Sequence, residues 1–188
     1  MPRVWRRVDA VGDLRPLFEQ DRSRWDVNLI AEGQAQLDLS ATGPELTEYH
    51  AEAAIAWVHT TAHGFEDTDW RMIVSLYDQL MAIHPSPVVA LNSAIAIAQR
   101  EGPQRGLEEI RAMANSDRLA GYPFYHAALG EFEFRSGRHE VAREHFLNAL
   151  AFVRNPMERR FIEQRMVYVR WGVPSAEEVR TGISETRK

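Results

Sequence analysis

The chain has 188 residues, 45% of them hydrophobic and 26% charged, and a formal net charge of −5. That length can bury a real core, the balance excludes a disordered chain, and the acidic sign speaks against broad nucleic-acid binding by this chain alone. It has no cysteine, which excludes disulfides, thiolate catalysis and cysteine zinc sites. The longest apolar run, 87–98, is too short to span a bilayer. Arg3, Arg6 and Arg7 are followed by Asp9 and Asp13 rather than by the apolar stretch of a signal peptide. The expected location is the cytoplasm, with no membrane partner.

Helical patterning runs throughout, and β-branched alternation is nearly absent, so no strand is expected. Residues 1–16 read as a lead segment, 17–170 as one helical domain and 171–188 as a polar tail. Ser23 is placed to cap a first helix carrying Trp25, Leu29, Ile30 and Leu37, and the stretch 41–44 then breaks the chain. A second helix is expected over 45–63, with Tyr49, Ala53, Ala56, Trp57 and Thr60 on one stripe and Gly64 at its end. Asp67, Thr68 and Asp69 form an acidic start for a helix over 70–83, where free backbone N–H groups favour negative charge. Ser86-Pro87, Gly102-Pro103 and Asn155-Pro156 each set a capping or turn residue before a proline at the first helical position. Glu158, three residues after Asn155, suggests a capping box. Helices are also expected over 122–135, 139–153 and 157–169.

A period of about 34 residues runs through this pattern. Ile73, Tyr77 and Leu80 are followed by Leu107, Arg111 and Ala114, and then by Ala142, Phe146 and Ala149, with Gly102 and Gly137 at turns in step. The spacing is that of the second helix of a tetratricopeptide-like (TPR-like) hairpin. The last repeat is the best formed, with Leu129-Gly130 in its first helix. In the middle one, Arg111 replaces the aromatic residue. The fold expected is all-α: stacked TPR-like hairpins of about eight helices, closed by a C-terminal capping helix.

Several constellations could carry chemistry. His59 and His63, four apart on a helix, have a spacing that could bind metal and so suggest a metal-dependent enzyme, but no glutamate follows His59 as in HExxH. Packing or surface histidines are the simpler reading, and no metal site is assigned. Glu66, Asp67 and Asp69 are better explained as a helix cap than as acid/base groups. No phosphate-cradling loop or nucleophile motif is present. Tyr122, Tyr125 and His126 are the candidate lining of a small-molecule site between hairpins, the alternative function. The segment Asp21-Arg22-Ser23-Arg24-Trp25-Asp26 packs two arginines, two aspartates and a tryptophan into six residues. It suggests either local ion pairs or a docking latch.

The string Glu19-Gln20-Asp21-Arg22-Ser23-Arg24-Trp25-Asp26, with Ile30-Ala31-Glu32-Gly33 after it, resembles the start of a known bacterial domain. That domain is the C-terminal, TPR-like extension of extracytoplasmic-function (ECF) type RNA polymerase sigma factors of the sigma-70 family. Further strings agree in order: Ala53-Ala54-Ile55-Ala56 with His59, Asp67-Thr68-Asp69-Trp70, Ser86-Pro87-Val88-Val89-Ala90-Leu91-Asn92, Tyr125-His126-Ala127-Ala128 and Asn155-Pro156-Met157-Glu158-Arg159-Arg160-Phe161. The likeness covers about residues 8–166. Ser93 stands where the family suggests arginine, and Arg111 breaks the repeat, so the groove chemistry differs. The two promoter-binding domains of a complete sigma factor do not fit ahead of Val8.

The resemblance implies a regulatory domain in transcription initiation, without catalytic residues or cofactor. Its expected partners are sigma promoter-binding domains, core RNA polymerase or a regulatory protein. The candidate partner-binding residues are Arg22, Arg24, Trp25, Asp26, Asp67, Asp69, Trp70 and Asn92. Asn92 is expected on the first helix of its hairpin, the side that lines the groove in TPR arrays.

Overall fold

The structure, a computed structural model, describes residues 17–40 and 46–171. The lead segment 1–16, the chain break at 41–44 and the tail from 172 lie outside the described residues. Among the described residues there is no strand. Eight α-helices follow one another: α1 (Val27–Ser40), α2 (Glu48–Thr61), α3 (Trp70–Ile83), α4 (Pro87–Glu101), α5 (Pro103–Ala112), α6 (Pro123–Arg135), α7 (His139–Phe152) and α8 (Pro156–Trp171). The chain divides into two compact units, 17–118 and 119–171 among the described residues. None of the described helices is long and apolar enough to cross a membrane.

Local chemistry sets most helix starts. The Asp69 carboxylate accepts the Met72 N–H at 2.9 Å and opens α3. Ser86 accepts the Val89 N–H at 3.3 Å, ahead of Pro87, and opens α4. Gly102, at φ 95°, both ends α4 and precedes Pro103 of α5. A side chain there would be strained, which explains why glycine occupies this joint. Asn155 accepts the Met157 N–H at 2.9 Å at the start of α8.

The first two helices depart from expectation. Ser23 does not cap α1. It lies in a 3-10 turn, Arg22–Arg24, where its N–H and hydroxyl both donate to Asp21 Oδ1, at 3.1 and 2.6 Å. α1 begins after Asp26, whose carboxylate accepts from the Asn28 and Leu29 N–H groups. A carboxylate is the stronger acceptor, so each aspartate takes the cap that the serine competes for. α2 starts at Glu48 rather than 45 and stops at Thr61, before Gly64. Thr47 and His50 form a capping box there, with His50 Nδ1 accepting the Thr47 N–H at 3.2 Å. The buried face of α2 is Ala51 and Ile55, while Tyr49 is 73% exposed and Ala56 is exposed. Close approach to α3 selects the small and branched residues rather than the large ones of the expected stripe.

In unit 1, the hairpins α2/α3 and α4/α5 pack through α3 and α4. Ala51, Ile55, Ile73, Val74, Leu80 and Ala96 form the shared core. In unit 2, the hairpin α6/α7 is closed by α8, with Ala142, Phe146, Ala149 and Ile162 at its centre. The 34-residue period is visible as burial: Ile73, Leu107 and Ala142, in corresponding positions of three hairpins, are each 0% exposed. It fails at the end of the middle hairpin. α5 stops at Ala112, so Arg111 and Ala114 are exposed where Phe146 and Ala149 are buried.

Unit 2 is the tighter hairpin because Gly130 lets the helices close. A Cβ on Gly130 would stand 3.1 Å from the Phe146 ring. Gly137, at φ 77°, makes the turn between α6 and α7. Arg165 of α8 reaches back to Glu131 of α6 with Nε–Oε2 at 3.0 Å and Nη2–Oε1 at 2.8 Å, a two-pronged pair. The guanidinium also lies 5.9 Å from the Phe134 ring and 5.4 Å from that of Tyr168.

Gly130→Val will destabilise the protein by about 1–3 kcal/mol, through overpacking against Phe146. Gly33→Ala, on an exposed face of α1 with open space around it, will stabilise by about 0.5–1 kcal/mol. Urea unfolding midpoints of the two variants, moving in opposite directions, check this.

Candidate functional site

The candidate contact residues do not form one outward-facing patch. Four of them, Arg22, Trp25, Asp67 and Trp70, gather around the loop from α2 to α3. Helix α2 ends there with carbonyls that have no partner within the helix. Arg22 supplies the donors. Its Nη1 donates to the carbonyls of His59, at 2.8 Å, and Ala62, at 3.3 Å. Its Nη2 donates to Thr68 Oγ1 at 2.9 Å, and the buried Thr68 hydroxyl donates to the Gly64 carbonyl at 3.3 Å. The cation therefore sits at the negative end of the α2 dipole and ties it to the chain entering α3.

Arg22 is 8% exposed: its Nη1 and Nη2 donate inside the chain, and its Nε is buried without an acceptor. Its ring neighbour is Trp25, with the guanidinium carbon 5.4 Å from the indole centroid. Burial pulls the Arg22 pKa down, while the charge of Asp67 opposes that shift. Trp25 and Trp70 are both half-buried.

His59 completes the knot. Its ring meets Trp70 edge-on at 5.4 Å, and Trp70 in turn meets Phe65 at 5.1 Å. Burial, and then the positive charge of Arg22, push the His59 pKa down to about 4, so the imidazole is neutral near pH 7. His63 is exposed. Among the described residues, no group of three His, Asp or Glu side chains is placed to hold a metal ion.

The remaining candidates lie on the surface. Arg24, Asp26, Asp69 and Asn92 are exposed, as is Asp67 of the first group. Asp26 and Asp69 are also caps, of α1 and α3. Asn92 lies on α4, the first helix of its hairpin, as expected. Beside it in sequence, Ser93 helps line a shallow groove of about 190 Å³ with Met81, Ala90, Ala94, Glu109 and Met113.

In unit 2, the residues of the small-molecule alternative contact one another. Tyr125 meets His126 edge-on at 5.3 Å, and His126 stacks on Phe152 at 5.6 Å. His126 Nε2 lies 2.8 Å from the Ala120 carbonyl, so this nitrogen carries the proton and donates. Tyr122 meets Phe124 at 5.5 Å, and burial with nearby Glu158 raises its hydroxyl pKa.

Sequence spacing points to Arg22 but not to what it touches. His59, Ala62 and Thr68 are 37 to 46 residues away. The one usable signal is an arginine beside a tryptophan in a polar segment, a pair that stacks when the arginine is buried.

No family model matches the chain, and no solved structure matches it. The chain is similar to an uncharacterized protein of Rhizobium meliloti (strain 1021), with 37% identity over 164 residues. The match takes in 87% of this chain and 38% of that protein, so the chain spans well under half the length of its relative.

Arg22→Met will destabilise the protein by about 2–3 kcal/mol, because two part-buried carbonyls and the buried Thr68 hydroxyl lose a charged donor. Equilibrium unfolding in urea checks it. His59 also gives a pH dependence. The unfolded imidazole binds its proton near 6.5 and the folded one near 4. The His59 contribution is therefore fully present above about pH 6.5 and is lost as pH falls towards 4. The wild-type minus His59→Phe difference in unfolding free energy will slope across that window and be flat above it.

Proposed function

We propose that the chain is a regulatory, protein-binding domain of an ECF-type sigma factor, acting in bacterial transcription initiation in the cytoplasm. It works by binding rather than by catalysis. The observation that carries this reading is the ordered series of sequence strings over about 8–166, headed by Glu19-Gln20-Asp21-Arg22-Ser23-Arg24-Trp25-Asp26. Two further observations support it. Hairpin repeats of this kind present extended surfaces to partners. The Rhizobium relative extends well beyond the matched part, with more than half its length left for further domains.

Sigma promoter-binding domains and core polymerase are the partners of this reading. The formal charge of −5 suits the basic surface of a DNA-reading domain. DNA contact belongs to those domains rather than to this chain.

Pull-down of the full chain with the two promoter-binding domains of an ECF-type sigma factor, and separately with core polymerase, tests the proposal. Capture of at least one, weakening as salt rises, is the expected result. Binding to neither, together with unchanged promoter output when the domain is deleted from a full-length sigma factor, would end the reading.

A further inference from the structure

The first helices of unit 1 carry charge of one sign. Between Trp25 and Trp70 the sequence has nine Asp or Glu residues and not one Lys or Arg. Helix α1 lies in this stretch, and none of its residues is buried. Ile30, Gln34 and Leu37, at spacings of four and three, form its half-buried stripe, and its packing neighbour is α2. The middle of that stripe is polar, and the Gln34 Oε1 is buried without a donor. Gln34 does hold Asp38, its Nε2 donating to Oδ1 at 2.6 Å.

The opposite face is unusual for a helix so weakly seated. Leu29, Glu32, Gln36 and Leu39 follow at spacings of three, four and three, and so share one side. All four are exposed, with Leu29 at 40% and Leu39 at 66%. The two leucines stand about 15 Å apart along the helix, at 1.5 Å per residue, with Glu32 between them. A helix of this length is marginal in water unless a face is covered.

We propose that the outer face of α1 is a docking surface for a basic amphipathic helix of a partner protein. Apolar residues of that helix cover Leu29 and Leu39, and its arginines or lysines meet Glu32 between them. Charge complementarity selects this occupant. A second copy of α1 would bring carboxylate against carboxylate, and an acidic partner would be repelled by the whole tract. The inference rests on the protein-binding reading above and names the face and the chemistry of the partner.

The probe is a synthetic amphipathic peptide of about 18 residues, long enough to form a helix. Its apolar face is leucine and its polar face arginine, and its twin has glutamate at every arginine. Fluorescence anisotropy with the full chain is expected to show the basic peptide binding at least about tenfold tighter than the twin, weakening with salt. Hydrogen exchange is expected to slow within 27–40. Glu32→Lys and Leu39→Ser are each expected to weaken binding about tenfold without shifting the urea midpoint, since both side chains are exposed.

Equal binding of the two peptides would overturn the proposal. So would protection confined to other helices, or self-association abolished by Leu39→Ser, which would make a second copy the occupant. The outcome is separable from that of the sigma reading. A chain that docks the basic peptide on α1 but binds neither sigma domains nor polymerase keeps the surface and loses the sigma assignment. Sigma domains that bind wild type and both variants alike keep that assignment and overturn this surface.

Discussion

A helical hairpin of two short helices exposes too much apolar surface to stand alone, and the arrangement of this chain follows from that constraint. Each second helix must offer a side chain that can be covered completely. Ile73, Leu107 and Ala142 fill that position, and none of them has measurable exposure. How closely the helices approach then depends on what is small. In unit 2, Gly130 admits the Phe146 ring, and α8 covers the open side with Ile162. In unit 1, Ala51 and Ala96 serve the same purpose with less aromatic filling.

Polar groups are placed where this packing leaves the backbone unsatisfied. The end of α2 is the clearest case. Its carbonyls have no partner within the helix, and Arg22 arrives from another part of the chain to meet them. Burial keeps His59 neutral and that same cation adds to the effect, so one charge acts on both the helix end and the ring beside it. Arg159 solves the corresponding problem in unit 2, its Nη2 donating to the Leu150 and Val153 carbonyls at the end of α7, at 3.3 and 3.0 Å, while Arg165 joins α8 to the Glu131 side chain of α6 by a fork that fixes distance and angle together.

How much of this is legible in sequence depends on how far the responsible partner lies. Helix α3 is read at its true ends because Asp69, its cap, and Pro85, which stops it, lie within two residues of it. The proline-led helices α4, α5 and α8 are legible for the same reason. The buried face of α2 is not, because choosing Ala51 over Tyr49 requires knowing that α3 comes close. Arg22 shows the same limit at the candidate site. Its composition marks the segment, but which side it faces is decided by carbonyls that no local pattern reveals. Asn92 is placed correctly, since a proline-capped helix fixes its position from the residues next to it.

The hold of Arg22 on His59 and Ala62 closes the chain into a loop that contains the whole of α1. Its two ends are pinned, one by a buried guanidinium and the other by the packed helix α2. The arginine before α1 and the helix after it thus hold one another directly, and a change at either end of the loop is felt at the other through those two hydrogen bonds.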